Sequence, residues 1–69
     1  MVQIDCRGLS CPEPVVRVQK GIAAHAEGLI VTVDAMVCVE NIKRFASSRG
    51  YTVDVAEENG EYTLTLKRA

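Results

Sequence analysis

The chain has 69 residues, 48% of them hydrophobic and 25% charged, with a net charge of −1. A chain this short is expected to form one domain over residues 1–69, burying only about 60% of its unfolded surface. Its near-neutral balance offers no global attraction to nucleic acid or to an anionic membrane, and no apolar run approaches the length of a membrane span.

The opening "MVQID" alternates apolar and polar residues and reads as a strand, not as a charged leader followed by an apolar stretch. A soluble, cytoplasmic protein is the expectation, with no direct nucleic-acid or membrane contact. Three cysteines, an odd count at irregular spacing, do not suggest a secreted disulfide framework. Reduced thiols fit better.

Val2, Ile4 and Cys6 alternate with Gln3 and Asp5, the period of a half-buried strand. A short loop centred on Gly8 follows. Val15, Val18, Ile22 and Ala26 then recur at helical spacing, with Arg17, Lys20 and Glu27 on another face. Gly28 is expected as the residue just past the end of that helix, and Gly21 inside it as a weakness of roughly 1 kcal/mol against alanine. "LIVTV", Leu29 to Val33, reads as a strand buried on both faces or nearly so. Asp34 is placed to cap a second helix, on which Cys38, Ile42, Phe45 and Arg49 share a face and which Gly50 ends. Tyr51, Val53 and Val55 alternate as a third strand. Asn59-Gly60 is a strong hairpin signal, and Tyr62, Leu64 and Leu66 form the fourth strand. The order β-α-β-α-β-β predicts an α+β fold, a two-layer sandwich. It pairs a mixed four-stranded sheet with two helices on one face, a right-handed first crossover and a C-terminal hairpin.

The stretch "DCRGLSCPEPVV" concentrates the chemistry. A residue before proline is driven out of the helical region, and proline is favoured in the first helical turn. Cys11, before Pro12, is therefore expected at or beside the N-cap. A second register makes Ser10 the cap, with Glu13 reaching back. Either way the sulfur lies beside unpaired N–H groups carrying about half a positive charge. A thiolate is stabilised there, below the ~8.5 of a free cysteine, and a persulfide anion would gain in the same way. Arg7 is near enough in sequence to assist. His25, the single histidine, lies fourteen residues on, about 21 Å along a continuous helix. It cannot serve Cys11 as a base, which removes the cysteine-hydrolase reading. Exchange of sulfur with another protein's cysteine needs no built-in base.

These residues resemble the TusA-like (SirA-like) sulfur carriers: an acidic residue, a glycine loop and C-P-x-P opening the first helix, here Asp5-Cys6-Arg7-Gly8-Leu9-Ser10-Cys11-Pro12-Glu13-Pro14. Length and element order match over the whole chain. The resemblance implies a sheet order of 1-2-4-3 and a persulfide on Cys11, the catalytic residue. Asp5, Arg7, Gly8, Pro12 and Pro14 would support the motif. It further implies a cysteine desulfurase as sulfur donor and a sulfur-relay protein as acceptor. In the family such relays feed tRNA 2-thiouridine formation, molybdenum-cofactor synthesis or sulfur oxidation. The "IDCRGLSCPEPV" opening and the "ENIKRFASSRGYTVDV" stretch look closest to the N-terminal domain of YedF-type proteins linked to selenium metabolism.

No metal or organic cofactor is implied. Cys6 and Cys38 fall outside the signature, and this topology brings all three cysteines toward one edge of the sheet. That leaves open a resolving cysteine and a thiol redox switch, beside the plainer reading of both as core residues. A binding or regulatory module of the same fold is the other alternative to a sulfurtransferase-type carrier. Arg17, Lys20, Lys43 and Arg44 are either a guide for an acidic partner or ordinary solvated helix faces.

Overall fold

Residue alternation decides which face of the sheet is buried. The computed structural model describes residues 1–9 and 13–69. It contains β1 (Gln3–Asp5), α1 (Glu13–Ala24), β2 (Gly28–Val33), α2 (Met36–Ser48), β3 (Tyr51–Glu58) and β4 (Glu61–Arg68). The sheet order is β1-β2-β4-β3, as the family resemblance implies. β1 runs parallel to β2, and β4 runs antiparallel to both β2 and β3. The register sets Leu29 opposite Leu66 and Val31 opposite Leu64. These four side chains are fully buried, and they meet Val18 of α1 and Ile42 of α2 in one core cluster. The intervening residues, among them Gln3, Asp5, Thr63 and Lys67, lie on the opposite face of the pleat and are exposed. Ile30 and Thr32 are half-buried, so β2 is covered fully on one face and partly on the other.

The second helix ends as its sequence suggests. The Arg49 and Gly50 N–H groups donate to the Ala46 and Ser47 carbonyls, and Gly50 takes a φ of 81°, the left-handed turn that glycine allows at low cost. The hairpin turn uses Asn59 and Gly60 at φ of 54° and 80°. Two successive left-handed residues match the right-handed twist of the flanking strands.

The two other glycines read from sequence have different roles from those expected. Gly28 is not the residue after α1, which stops at Ala24. It opens β2 with a φ of 130°, and a Cβ there would lie 2.1 Å from the Leu66 carbonyl oxygen. β4 crosses too close for any side chain. Gly21 is buried, and a Cβ would meet Leu29 Cδ2 at 2.5 Å and Ile4 Cδ1 at 2.8 Å. Its missing side chain lets α1 settle onto the sheet, which outweighs its weak helix propensity. The turn between α1 and β2 is tied down by Tyr51, whose hydroxyl donates to the Ala26 carbonyl.

Gly28→Ala is expected to destabilise the fold by about 3 kcal/mol, from strain plus backbone displacement. Gly50→Ala, with open space around its Cα, should cost only about 1 kcal/mol for the left-handed turn. Urea unfolding of the two variants checks the order, and equal losses would refute it.

Candidate functional site

Chain direction gathers the chemistry at one rim of the sheet. β1 and β2 are parallel, so both end there, while β4, antiparallel to β2, begins there. The rim therefore carries the β1–α1 loop, the step from β2 into α2 and the hairpin turn. Ser10, Cys11 and Pro12 lie outside the described residues. So do the N-cap position expected for Cys11 and the capping box expected from Ser10. In sequence, Cys11 stands two residues before Glu13, the first residue of α1. Pro14 is buried in that first turn, where a fixed φ and a missing N–H cost the helix nothing.

The loop before Cys11 is held by two carboxylates. Asp34 does not cap α2. The N-cap is Ala35, with no side-chain hydrogen bond. Instead Asp34 Oδ2 accepts the Gly8 N–H at 2.9 Å. Gly8 stands at a φ of 78°, a left-handed conformation open to glycine, and this turns its N–H toward β2's end. Asp5 holds the other side. Its Oδ1 accepts the Arg7 backbone N–H at 3.0 Å and Nε–H at 2.9 Å, while Oδ2 accepts Nη2–H at 2.9 Å. The Arg7 side-chain bonds, then its backbone N–H, hold the Asp5 carboxyl down at about 2.

Arg7 also reaches Glu61 across 54 positions of sequence, Nη1 to Oε2 at 3.2 Å. Its two carboxylate partners raise the pKa of its guanidinium. The sequence offered Arg7 as a helper for Cys11, but its guanidinium is engaged by Asp5 and Glu61. Glu61 pairs directly with Glu58 across the hairpin, so Arg7 offsets a like-charge repulsion there. Asp5, Arg7 and Glu61, with Gln3, Thr32 and Thr63, line a shallow groove of about 390 Å³ on the open sheet face.

Cys6 and Cys38 both belong to the core. Cys6 is fully buried, its N–H donates to Thr32, and burial pushes its thiol up. Cys38, in the first turn of α2, is 2% exposed. A buried thiol held in its neutral form is a poor nucleophile. His25 lies just past the far end of α1, its Nδ1 4.0 Å from Glu27. Among the described residues, no three His, Cys, Asp or Glu side chains gather as a metal site would require. Nor is any helix among them long and apolar enough to cross a membrane.

The Asp5 shift fixes a sign. A carboxyl depressed in the folded state adds stability above its unfolded pKa near 3.9, and that contribution is lost as pH falls toward 2. Carboxyl-detected NMR should find Asp5 titrating at about 2. In Arg7→Ala it should return to the ordinary aspartate range, and an unchanged titration there would refute the pairing.

The comparisons agree with this fold. Residues 2–68 match the family model described as sulfurtransferase TusA. A candidate sulfur carrier protein of Methanocaldococcus jannaschii is 39% identical over 71 residues, covering 99% of this chain and 95% of its own. A candidate sulfur carrier of Neisseria meningitidis serogroup A is 30% identical over 67 residues, 93% of this chain and 90% of its own. The crystal structure of a SirA-like protein from Desulfitobacterium hafniense superposes with a TM-score of 0.89 at 31% identity, over 97% of this chain and 96% of that one. With a match running nearly end to end, the chain belongs to the TusA sulfurtransferase family.

Proposed function

We propose that this protein is a sulfur carrier that holds a persulfide on Cys11 and passes it between partner proteins. What carries the reading is the family match over residues 2–68, with Cys11 and Pro12 standing in the sequence directly ahead of Glu13 and Pro14, which open α1. The Cys11 thiolate attacks the outer sulfur of a persulfide on a cysteine desulfurase. A new S–S bond forms on Cys11, the donor's own S–S bond breaks, and the donor cysteine leaves as a thiolate. An acceptor thiolate then attacks the outer sulfur on Cys11 in the same way and restores the Cys11 thiolate. Electrons balance at each step, so no oxidant, metal or organic cofactor takes part. The unpaired N–H groups at the start of a helix favour the anionic thiolate and persulfide alike. The bonds from Asp5 and Asp34 to the loop support the reading, because they order the residues that lead to Cys11 in the sequence. Residues 1–69 act together as one carrier domain, in the cytoplasm, where the thiol stays reduced.

Intact-protein mass spectrometry after incubation with a cysteine desulfurase and cysteine tests the proposal. One added sulfur atom per chain is expected, removed by reductant, absent in Cys11→Ser and retained in Cys6→Ser. Sulfur that persists in Cys11→Ser, or that never appears on the unaltered chain, would overturn it.

A further inference from the structure

The weak net charge conceals a segregation along the molecule. Six carboxylates lie on the segments that form the rim: Asp5, Glu13, Asp34, Glu57, Glu58 and Glu61, all exposed. Arg7 is the one cation on those segments, and it is shared between Asp5 and Glu61. Arg17, one turn into α1, is paired with Glu13 at 3.4 Å. The opposite end of the sheet, where both helices stop, β2 and β3 start and β4 finishes, carries Arg49, Lys67 and Arg68 against the carboxylate of Glu27, all exposed. The rim also carries apolar surface. Met36 and Val37, on the first turn of α2, are 50% and 60% exposed. The bond from Gly8 to Asp34 sets that turn beside the loop leading to Cys11. Met36 and Val37 follow Asp34 by two and three residues, so apolar surface stands next to a carboxylate, the mixture a docking surface uses.

We infer that the first turn of α2 and the hairpin turn form a docking surface for a partner whose contacting face is basic around an apolar centre. The inference rests on the carrier reading for its use, since the partner docks where sulfur would be exchanged. The rim's field favours a cationic face and disfavours an acidic one, acting mainly on encounter rate. Met36 and Val37 supply contact that salt does not screen. The basic residues of mid-α1 and mid-α2, Lys20, Lys43 and Arg44, lie away from the rim and take no part in the contact.

Two short peptides of equal length provide the probe. Each carries a central cysteine as its mixed disulfide with 2-thiopyridine, flanked by lysine and leucine in one and by glutamate and leucine in the other. The Cys11 thiolate attacks the peptide sulfur, the Cys11–peptide disulfide forms, and 2-thiopyridone leaves and is read by absorbance. Peptide mapping confirms Cys11 as the site. At low salt the basic peptide is expected to react about 10-fold faster than the acidic one. The ratio should fall toward one at high salt and in Glu57→Lys/Glu58→Lys. Met36→Ser/Val37→Ser should slow the basic peptide even at high salt. A low-salt ratio near one, a ratio indifferent to Glu57→Lys/Glu58→Lys, or a basic-peptide rate indifferent to Met36→Ser/Val37→Ser would overturn the inference. Loading of the same protein with cysteine persulfide is measured in parallel. Failure to gain sulfur there removes the carrier reading, while the peptide ratio still decides the docking surface.

Discussion

The position of β4 is the constraint on which the rest depends. It is hydrogen-bonded along both sides, to β2 from Gly28 to Val33 and to β3 over its whole length. It supplies Leu64 and Leu66 to the core. Because it enters antiparallel to β2, the hairpin turn arrives at the rim where β1 and β2 end. That single directional choice brings Glu61 to Arg7. It also demands glycine at position 28, where the β4 backbone leaves no space for a Cβ. Side chains on β1, β2 and both helices complete the core, and the ends of β1 and β2 bring Asp5 and Asp34 to the rim that the hairpin turn joins.

The elements were legible because their periods are clean. Val53 and Val55 alternate, Val18 and Ile42 sit on helical stripes, and Asn59-Gly60 encodes its own turn. The core was legible for the same reason. What escaped is whatever depends on pairing between distant segments. Nothing local distinguishes Asp34 as a cap from Asp34 as an acceptor for Gly8, since an aspartate before a helix suits both uses. The Arg7–Glu61 pair required the strand order, which only the family resemblance supplied. Gly28 followed a helical stripe, where a helix-ending glycine is common, and the close approach of Leu66 that explains it lies 38 positions away. Gly21 looked costly for the same reason: helix propensity is local, whereas contact with Leu29 and Ile4 is not.

The site joins order in the loop to economy in its chemistry. Backbone N–H groups of Arg7 and Gly8 go to carboxylates, so the loop ahead of Cys11 is shaped by bonds to Asp5 and Asp34. The remaining cysteines are withdrawn into the core, which separates the one exchange position implied by the motif from thiols that would compete with it. A carrier gains from this arrangement. It must accept sulfur readily and surrender it readily.

The shortness of β1 has a separate consequence. With three residues at the margin of the sheet, β1 shares backbone bonds with β2 alone, extended by the Ile30 N–H to the Val2 carbonyl and the Cys6 N–H to the Thr32 carbonyl. Separating it from β2 breaks few bonds and leaves the β2-β4-β3 ladder intact. Few backbone bonds therefore oppose local opening at the strand that feeds the motif loop, the condition under which a segment opens without global unfolding. Ile4 and Cys6, packed into the core, set how much that opening costs. The chain thus keeps its shortest strand beside the motif loop and its longest ladder on the far side of β2.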